Sequence, residues 1–320
     1  MSSEKNQPFY VLSIDGGGAR GIIPALVLRR VEERLGKRCC GTFDLIAGTS
    51  VGGIIACALS HGQHSAAEIV QTFIDTNERV FDKSMSDRLL GIVQTQPKYD
   101  GKGKRQVIVD LVGGVNTRFG KTHGGVVTVV PTYNVTSMTE VVWASDQHNN
   151  SSEDQVFAAD IADATSAAPL YFPSVRVGPD EWHVDGGLFA NDPTVLTVAE
   201  AERVLRAAGD YARRPIYVLS IGTGTVARPP TTTKSLGKET ESFGLFDWLQ
   251  AGLVGMLMDD SITSNVIAPM LMRPIDRFER VQVELPCQVE LDDTSQTELL
   301  TSAVKQSIDA IDKQLAKLQL

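Results

Sequence analysis

An unbroken apolar run from Phe9 to Ile14 predicts a short buried strand, and a glycine-rich turn over residues 15–21 follows it. Residues 22–35 carry apolar side chains at helical spacing, with Pro24 in the first turn, where its missing N–H costs little. A second apolar run over 43–47 breaks at Gly48-Thr49-Ser50-Val51-Gly52-Gly53 into a helical segment over 54–59. Two strands separated by one helix and followed by another predict a crossover and a parallel sheet. Between 81 and 125 the periodicity weakens, and the basic, turn-rich stretch 98–105 reads as a solvated loop. Residues 126–133 are strongly strand-like, with 140–144 pairing beside them. Residues 148–154 read as loop, 157–165 as helix, and 182–184 as a strand leading into Asp185-Gly186-Gly187. A helix over 194–208, a strand over 216–221, a surface loop over 229–241 and a terminal amphipathic helix over 299–318 complete the pattern. With no repeat and no convincing linker, the expectation is a single domain over residues 1–320, its motif-bearing core at about 9–224.

Three stretches of this pattern carry chemistry. Gly48-Thr49-Ser50-Val51-Gly52 has the form G-x-S-x-G between an expected strand and an expected helix, the setting of a nucleophile elbow. So tight a turn tolerates little beyond hydrogen on either side of the serine, and the helix N-terminus behind it favours developing negative charge. A serine hydroxyl needs a base. Of the five histidines, His61 and His64 are carried away along the helix, and His123 and His148 lie in loop-like segments without neighbouring motif residues. His183 shares a strand face with Asp185 but reads as a half-buried strand residue. Asp185, followed by Gly186 and Gly187, is the better base, although a carboxyl with an ordinary pKa of about 3.9 must be helped by its surroundings.

Asp15-Gly16-Gly17-Gly18-Ala19-Arg20-Gly21 supplies backbone amides for an oxyanion, commonly worth about 3 kcal/mol each in the transition state. Gly16, Gly17 and Gly18 are the candidate donors, and Arg20 either strengthens the positive field or braces the loop. Gly16, Gly18 and Gly21 also satisfy G-x-G-x-x-G, so a nucleotide-binding oxidoreductase is a rival reading. It is the weaker one, because Asp44 opens the second strand and the far end of that strand is taken by Ser50. A catalytically silent binding protein on the same fold is a third.

Composition narrows the field further. The 320 residues are 42% hydrophobic and 22% charged, as in ordinary globular proteins. A net charge of −9 gives no encouragement to nucleic-acid binding. Cys39, Cys40, Cys57 and Cys287 fit neither a zinc site nor a disulfide scaffold, so buried, reduced thiols and a cytoplasmic setting are expected. No stretch approaches the roughly 20 apolar residues of a membrane span, so any membrane would be met from the water side, through peripheral contact.

Taken together, the DGGGxRG loop at residues 15–21, the GxSxG serine and the DGG aspartate resemble the patatin-like phospholipase family, in the family's order. Pro97-Lys98-Tyr99-Asp100-Gly101, Val129-Val130-Pro131-Thr132-Tyr133, the segment 165–173 and Ser220-Ile221-Gly222-Thr223-Gly224 are similar to further parts of its domain. The likeness runs from about Val11 to Gly224 and is loose over the last 95 or so residues. It implies a three-layer α/β/α fold with a mainly parallel central sheet, and a Ser50–Asp185 dyad in place of a histidine triad. It also implies an oxyanion hole from the glycine loop, and hydrolysis of lipid acyl esters at a membrane or micelle surface without metal or cofactor. Some members act only after a partner or small molecule switches them on. Position 183 is typically apolar in the family, so His183 departs from its pattern.

Overall fold

The computed structural model describes residues 7–62, 64–81, 97–148, 155–210, 214–226 and 275–320. The expected loop at 229–241, and all of 148–154 except His148, lie outside the described residues.

The first strand, β1 (Phe9–Ile14), is followed by α1 (Ile22–Leu35), β2 (Leu45–Gly48) and α2 (Val51–Ser60). Helices α3 (Ala66–Val80) and α4 (Lys102–Leu111) precede β3 (Val127–Asn134) and β4 (Thr139–Ala144). Then come α5 (Ala158–Thr165), β5 (Val175–Val177), β6 (Glu181–Asp185), the one-turn α6 (Gly187–Ala190), α7 (Thr194–Ala207) and β7 (Ile216–Ile221). The short β8 (Thr225–Val226) pairs with β10 (Glu284–Leu285). Between them in sequence lies β9 (Ile275–Val281), and α8 (Thr297–Gln306) and α9 (Ile308–Lys317) end the chain.

Strands β3, β2, β1, β7 and β9 pair in parallel in that spatial order, and β4, β6 and β5 extend the sheet antiparallel. Strands β1, β2, β3 and β7 are buried on both sides, which is why they read as largely apolar runs, whereas β9 at the sheet edge is more exposed and carries charge. Alternation still sorts their side chains. Val11, Leu45, Ala47 and Val129 meet Val198, Ala201 and Leu205 of α7 on one face. Leu12, Ile14, Ile46 and Val130 join the larger core under α1, α2, α5 and the C-terminal helices on the other. Truncating one of these wholly buried leucines to alanine costs about 2–5 kcal/mol.

One detail of register decides where the chemistry sits. Strand β4 runs along one edge of β3, pairing residues Val129 to Asn134. The other edge is shared: β2 pairs with Val127–Val129, and β6, coming from the opposite direction, pairs with Thr132–Asn134. The carboxyl ends of β2 and β6 therefore face each other across a gap on the same edge of β3.

Several expectations are corrected. The basic stretch 98–105 is not simply a solvated loop, since α4 begins at Lys102 and Lys104 is buried. Residues 66–80, passed over in the pattern, form a helix started by a capping box between Ser65 and Glu68. The terminal helix is two helices, interrupted at Ser307, although Leu300, Val304, Ile311 and Leu315 keep the buried stripe. Of the free thiols, Cys39 and Cys57 are buried, but Cys40 is half-buried and Cys287 exposed. No described helix is long and apolar enough to cross a membrane.

Candidate active site

Ser50 sits at the break between β2 and α2 with φ 55° and ψ −124°, a conformation that costs a non-glycine residue about 1–3 kcal/mol. Its surroundings over-determine it. The Ser50 N–H donates to Thr165 Oγ1 at 3.1 Å, and the Thr165 hydroxyl donates to the Pro131 carbonyl at 2.6 Å. The Ser50 carbonyl accepts from Ile54 N–H at 3.1 Å, the first bond of α2. Both flanking glycines are required by contact: a Cβ on Gly48 would lie 2.1 Å from the Gly52 carbonyl oxygen, and one on Gly52 would lie 2.4 Å from that of Ile14.

Asp185 ends β6 opposite Thr132, and Ser50 ends the β2 turn on the same edge. The Asp185 carboxyl is wholly buried. Its Oδ1 accepts the Gly187 N–H at 2.8 Å, whereas Oδ2 has no hydrogen-bond partner of good geometry among the described residues. Burial pushes this carboxyl up to about 6, against the opposing pull of the Gly187 N–H, the Ser50 hydroxyl and the Lys104 charge. The serine hydroxyl is thus near enough to stabilise the carboxylate, while the bond between them is not closed. Such bonds are often long in unliganded sites and tighten with substrate.

The glycine loop shows why its amides point one way. Asp15 N–H donates to Ile221 O at 3.0 Å and Gly16 N–H to Asn191 O at 3.0 Å. The Gly16 carbonyl accepts from Thr223 Oγ1 at 2.8 Å, and the Gly17 carbonyl from Arg20 N–H at 3.1 Å and Arg20 Nε at 3.4 Å. Ala19 N–H donates to Leu291 O at 2.7 Å. With the carbonyls of Gly16 and Gly17 tied down, the N–H groups of Gly17 and Gly18 are left without an acceptor among the described residues. Gly16, one of the three donors expected from sequence, is already engaged. Arg20 braces the loop through the Gly17 carbonyl. Gly21 is pressed against Val51, Gly186 against the Pro131 carbonyl.

Gly18 and Ser50 open onto one cleft, about 780 Å³ of empty space counted to its mouth. Phe73, Val80, Val107, Ile108 and Phe172 make its walls apolar. Thr76, Asn77 and Ser166 add polar groups, and Lys104 is the charged residue among the described lining. Its ammonium, 4.6 Å from the Phe172 ring centroid, is held by the carbonyls of Asp163 and Ser166, both at 2.9 Å, and by Asp163 Oδ1 at 3.0 Å.

A family model described as patatin-like phospholipase matches residues 12–198, more than half of the chain. The chain belongs to the patatin-like phospholipase family. Patatin-like protein 2 of Arabidopsis thaliana is 32% identical over 273 residues, covering 75% of this chain and 65% of that protein. The cGAMP-activated phospholipase of Pseudomonas aeruginosa is 33% identical over 243 residues, covering 75% of this chain and 70% of that one. Patatin-17 of Solanum cardiophyllum is 30% identical over 282 residues, covering 79% and 69%. The chain thus spans about two thirds of the length of these relatives.

In this patatin-like chain the three motifs meet through α6 and the residue after it. Thr49 Oγ1 donates to Ala190 O at 2.6 Å, Asn191 O holds Gly16, and Gly187 N–H holds Asp185. His183 is wholly buried rather than half-buried: its Nδ1 lies 2.9 Å from Thr132 Oγ1 and its Nε2 3.6 Å from Glu181 Oε2. Desolvation lowers its pKa, with Glu181 opposing. Asp44, the acid that a dinucleotide site would need, sits at the opposite end of β2 from Ser50, binding Tyr10 N–H and Arg214, both at 2.8 Å. Sequence reasoning missed Thr165, Lys104, Thr223 and Arg280. Thr165 and Thr223 lay inside segments already noted for their likeness to the family, but nothing local marked Lys104 or Arg280 as buried.

Proposed function

We propose that this chain is a lipid acyl hydrolase working through a Ser50–Asp185 dyad. Asp185 Oδ2 takes the Ser50 proton as Oγ attacks the ester carbonyl, and the resulting oxyanion is held by the N–H groups of Gly17 and Gly18. Collapse of that intermediate breaks the ester C–O bond, the alcohol leaves with the proton from Asp185, and the acyl group remains on Ser50. Water, deprotonated by Asp185, then attacks the acyl-enzyme and releases the fatty acid. The observation that carries this reading is the buried Asp185 carboxyl, with one oxygen unpartnered and the Ser50 hydroxyl among its neighbours.

The apolar cleft beside Ser50 suits an acyl chain. Such a substrate is delivered from a membrane or micelle surface, so contact with lipid is peripheral in this reading. One relative is named as activated by cGAMP, and activation by a small molecule of that class is part of the proposal. The test is hydrolysis of a p-nitrophenyl fatty ester and of mixed lipid extracts, with and without cyclic dinucleotide, followed by mass spectrometry of the products. Ser50→Ala should abolish both product release and labelling by a fluorophosphonate while the protein stays folded. Unchanged turnover in Ser50→Ala would overturn the reading.

A further inference from the structure

We propose that Arg280, outside the segment matched by the family model, is the positioning residue that holds the glycine loop in its oxyanion-binding shape. The inference rests on the reading of Ser50, Gly17 and Gly18 given above.

Arg280 lies on β9, and its side chain is almost wholly buried, 7% exposed. It grips Asp15, the first residue of the loop, with both terminal nitrogens: Nη1 donates to Oδ1 at 2.8 Å and Nη2 to Oδ2. Nη1 also donates to Ser220 Oγ at 2.7 Å, at the end of β7, and stands 3.6 Å from Asp192 Oδ2. Asp192 directly follows Asn191, whose carbonyl holds the Gly16 N–H. One guanidinium therefore controls two of the loop's anchors, the residue that opens it and the segment that pins its first glycine.

The fold makes room for this grip. A Cβ on Gly222 would come 2.8 Å from Arg280 Nη2 and 1.8 Å from Gln282 Oε1, so glycine at the end of β7 lets the arginine side chain reach across. Two buried carboxylates, Asp15 and Asp192, face this cation. Without it they repel each other and draw in water, and the loop end moves. Oxyanion donors act only within about 2.7–3.1 Å of the charge they stabilise, so a small shift of Gly17 and Gly18 is lost rate. Lysine cannot replace the grip, because a single ammonium does not reproduce the fork that meets both Asp15 oxygens.

The experiment compares wild type, Arg280→Lys and the charge-balanced double variant Arg280→Gln with Asp15→Asn. The double variant removes the Arg280–Asp15 pair without stranding either of its charges, and Arg280→Lys, which keeps a cation opposite the buried Asp192, guards against misfolding. Active sites are counted by the end point of fluorophosphonate labelling, and kcat and KM for a p-nitrophenyl ester are expressed per labelled site. Affinity for a trifluoromethyl ketone, which mimics the tetrahedral oxyanion, is measured beside them. The expected result is a kcat lowered about 100- to 1000-fold in the double variant and at least about 10-fold in Arg280→Lys. KM should stay within about threefold, and ketone affinity should fall in step with kcat/KM. A purely structural arginine would instead lower the number of labelled sites and leave each surviving site at full speed. Wild-type kcat per labelled site in Arg280→Lys, or in the double variant, overturns the proposal. Failure of the parent reading is separate: it would appear as a wild type that neither labels nor turns over.

Discussion

Asp185 is held in a state that the folded protein resists, and this has a measurable consequence for stability. Its carboxyl is raised from 3.8 to about 6, chiefly by burial. Between those two pH values the native state binds a proton that the unfolded chain has already released. Stability contributed by the protonated carboxyl is therefore present at low pH and is lost as the pH rises through about 6. The difference amounts to about 3 kcal/mol. Replacing Asp185 by asparagine removes the charge but keeps an oxygen for the Gly187 N–H. Asp185→Asn should be inactive, yet at pH 7.5 more stable than wild type by about 3 kcal/mol, near 5 °C in melting temperature for a chain of this size. Near pH 4 the advantage should shrink to well under about 1 kcal/mol. Urea unfolding followed by tryptophan fluorescence, at several pH values from 4 to 7.5, measures the difference directly. A variant that is no more stable than wild type at pH 7.5, or whose advantage does not grow across that range, would refute the argument.

The same shift sets the acid limb of the rate. Because Asp185 acts ionised, kcat/KM should fall below pH 6 with unit slope, and a limb centred near pH 4 would show that burial does not govern the base. Thr165→Val strips the Ser50 N–H and the Pro131 carbonyl of their shared partner. It should cost about 2 kcal/mol of stability and lower kcat about 10-fold, with Thr165→Ser restoring both in unfolding and initial-rate measurements. His183→Ala should lose about 1–3 kcal/mol of stability through its buried contact with Thr132 but keep kcat within about threefold. A loss of rate as complete as in Ser50→Ala would make the dyad a triad.

The parallel sheet was legible because β1, β2 and β7 are apolar runs bounded by glycine turns, and the strand–helix–strand–helix succession at the start of the chain implies a parallel crossover, although the order of the strands was not readable. The structure also brings together Ser50, Asp185 and the glycine loop, which the motifs had singled out. What the sequence concealed were partnerships between distant residues. Lys104 stands in a basic, glycine-broken stretch that reads as solvated, and its burial is compensated by Asp163 and Ser166, far along the chain. Arg280 sits in a strand of mixed charge, and no local pattern says that Asp15 is its partner. Gly16 shows a subtler limit: three bare amides look equivalent in sequence, but a backbone carbonyl at Asn191 claims the first. Helix α3 is different, since its Ser65–Glu68 start signal was present in the sequence.

Strand β3 works as a ruler. Serine and aspartate arrive on one of its edges from opposite directions, so the interval from Val129, where β2 pairs, to Thr132, where Asp185 pairs, fixes how far apart they stand. Long excursions elsewhere, such as α3 and α4 between the two, can change length without altering that interval. One residue inserted between 129 and 132 would lengthen it by about 3.3 Å and turn the following side chains to the other face. The dyad's tolerance to change is accordingly concentrated away from a span of four residues that supplies neither of its reacting groups.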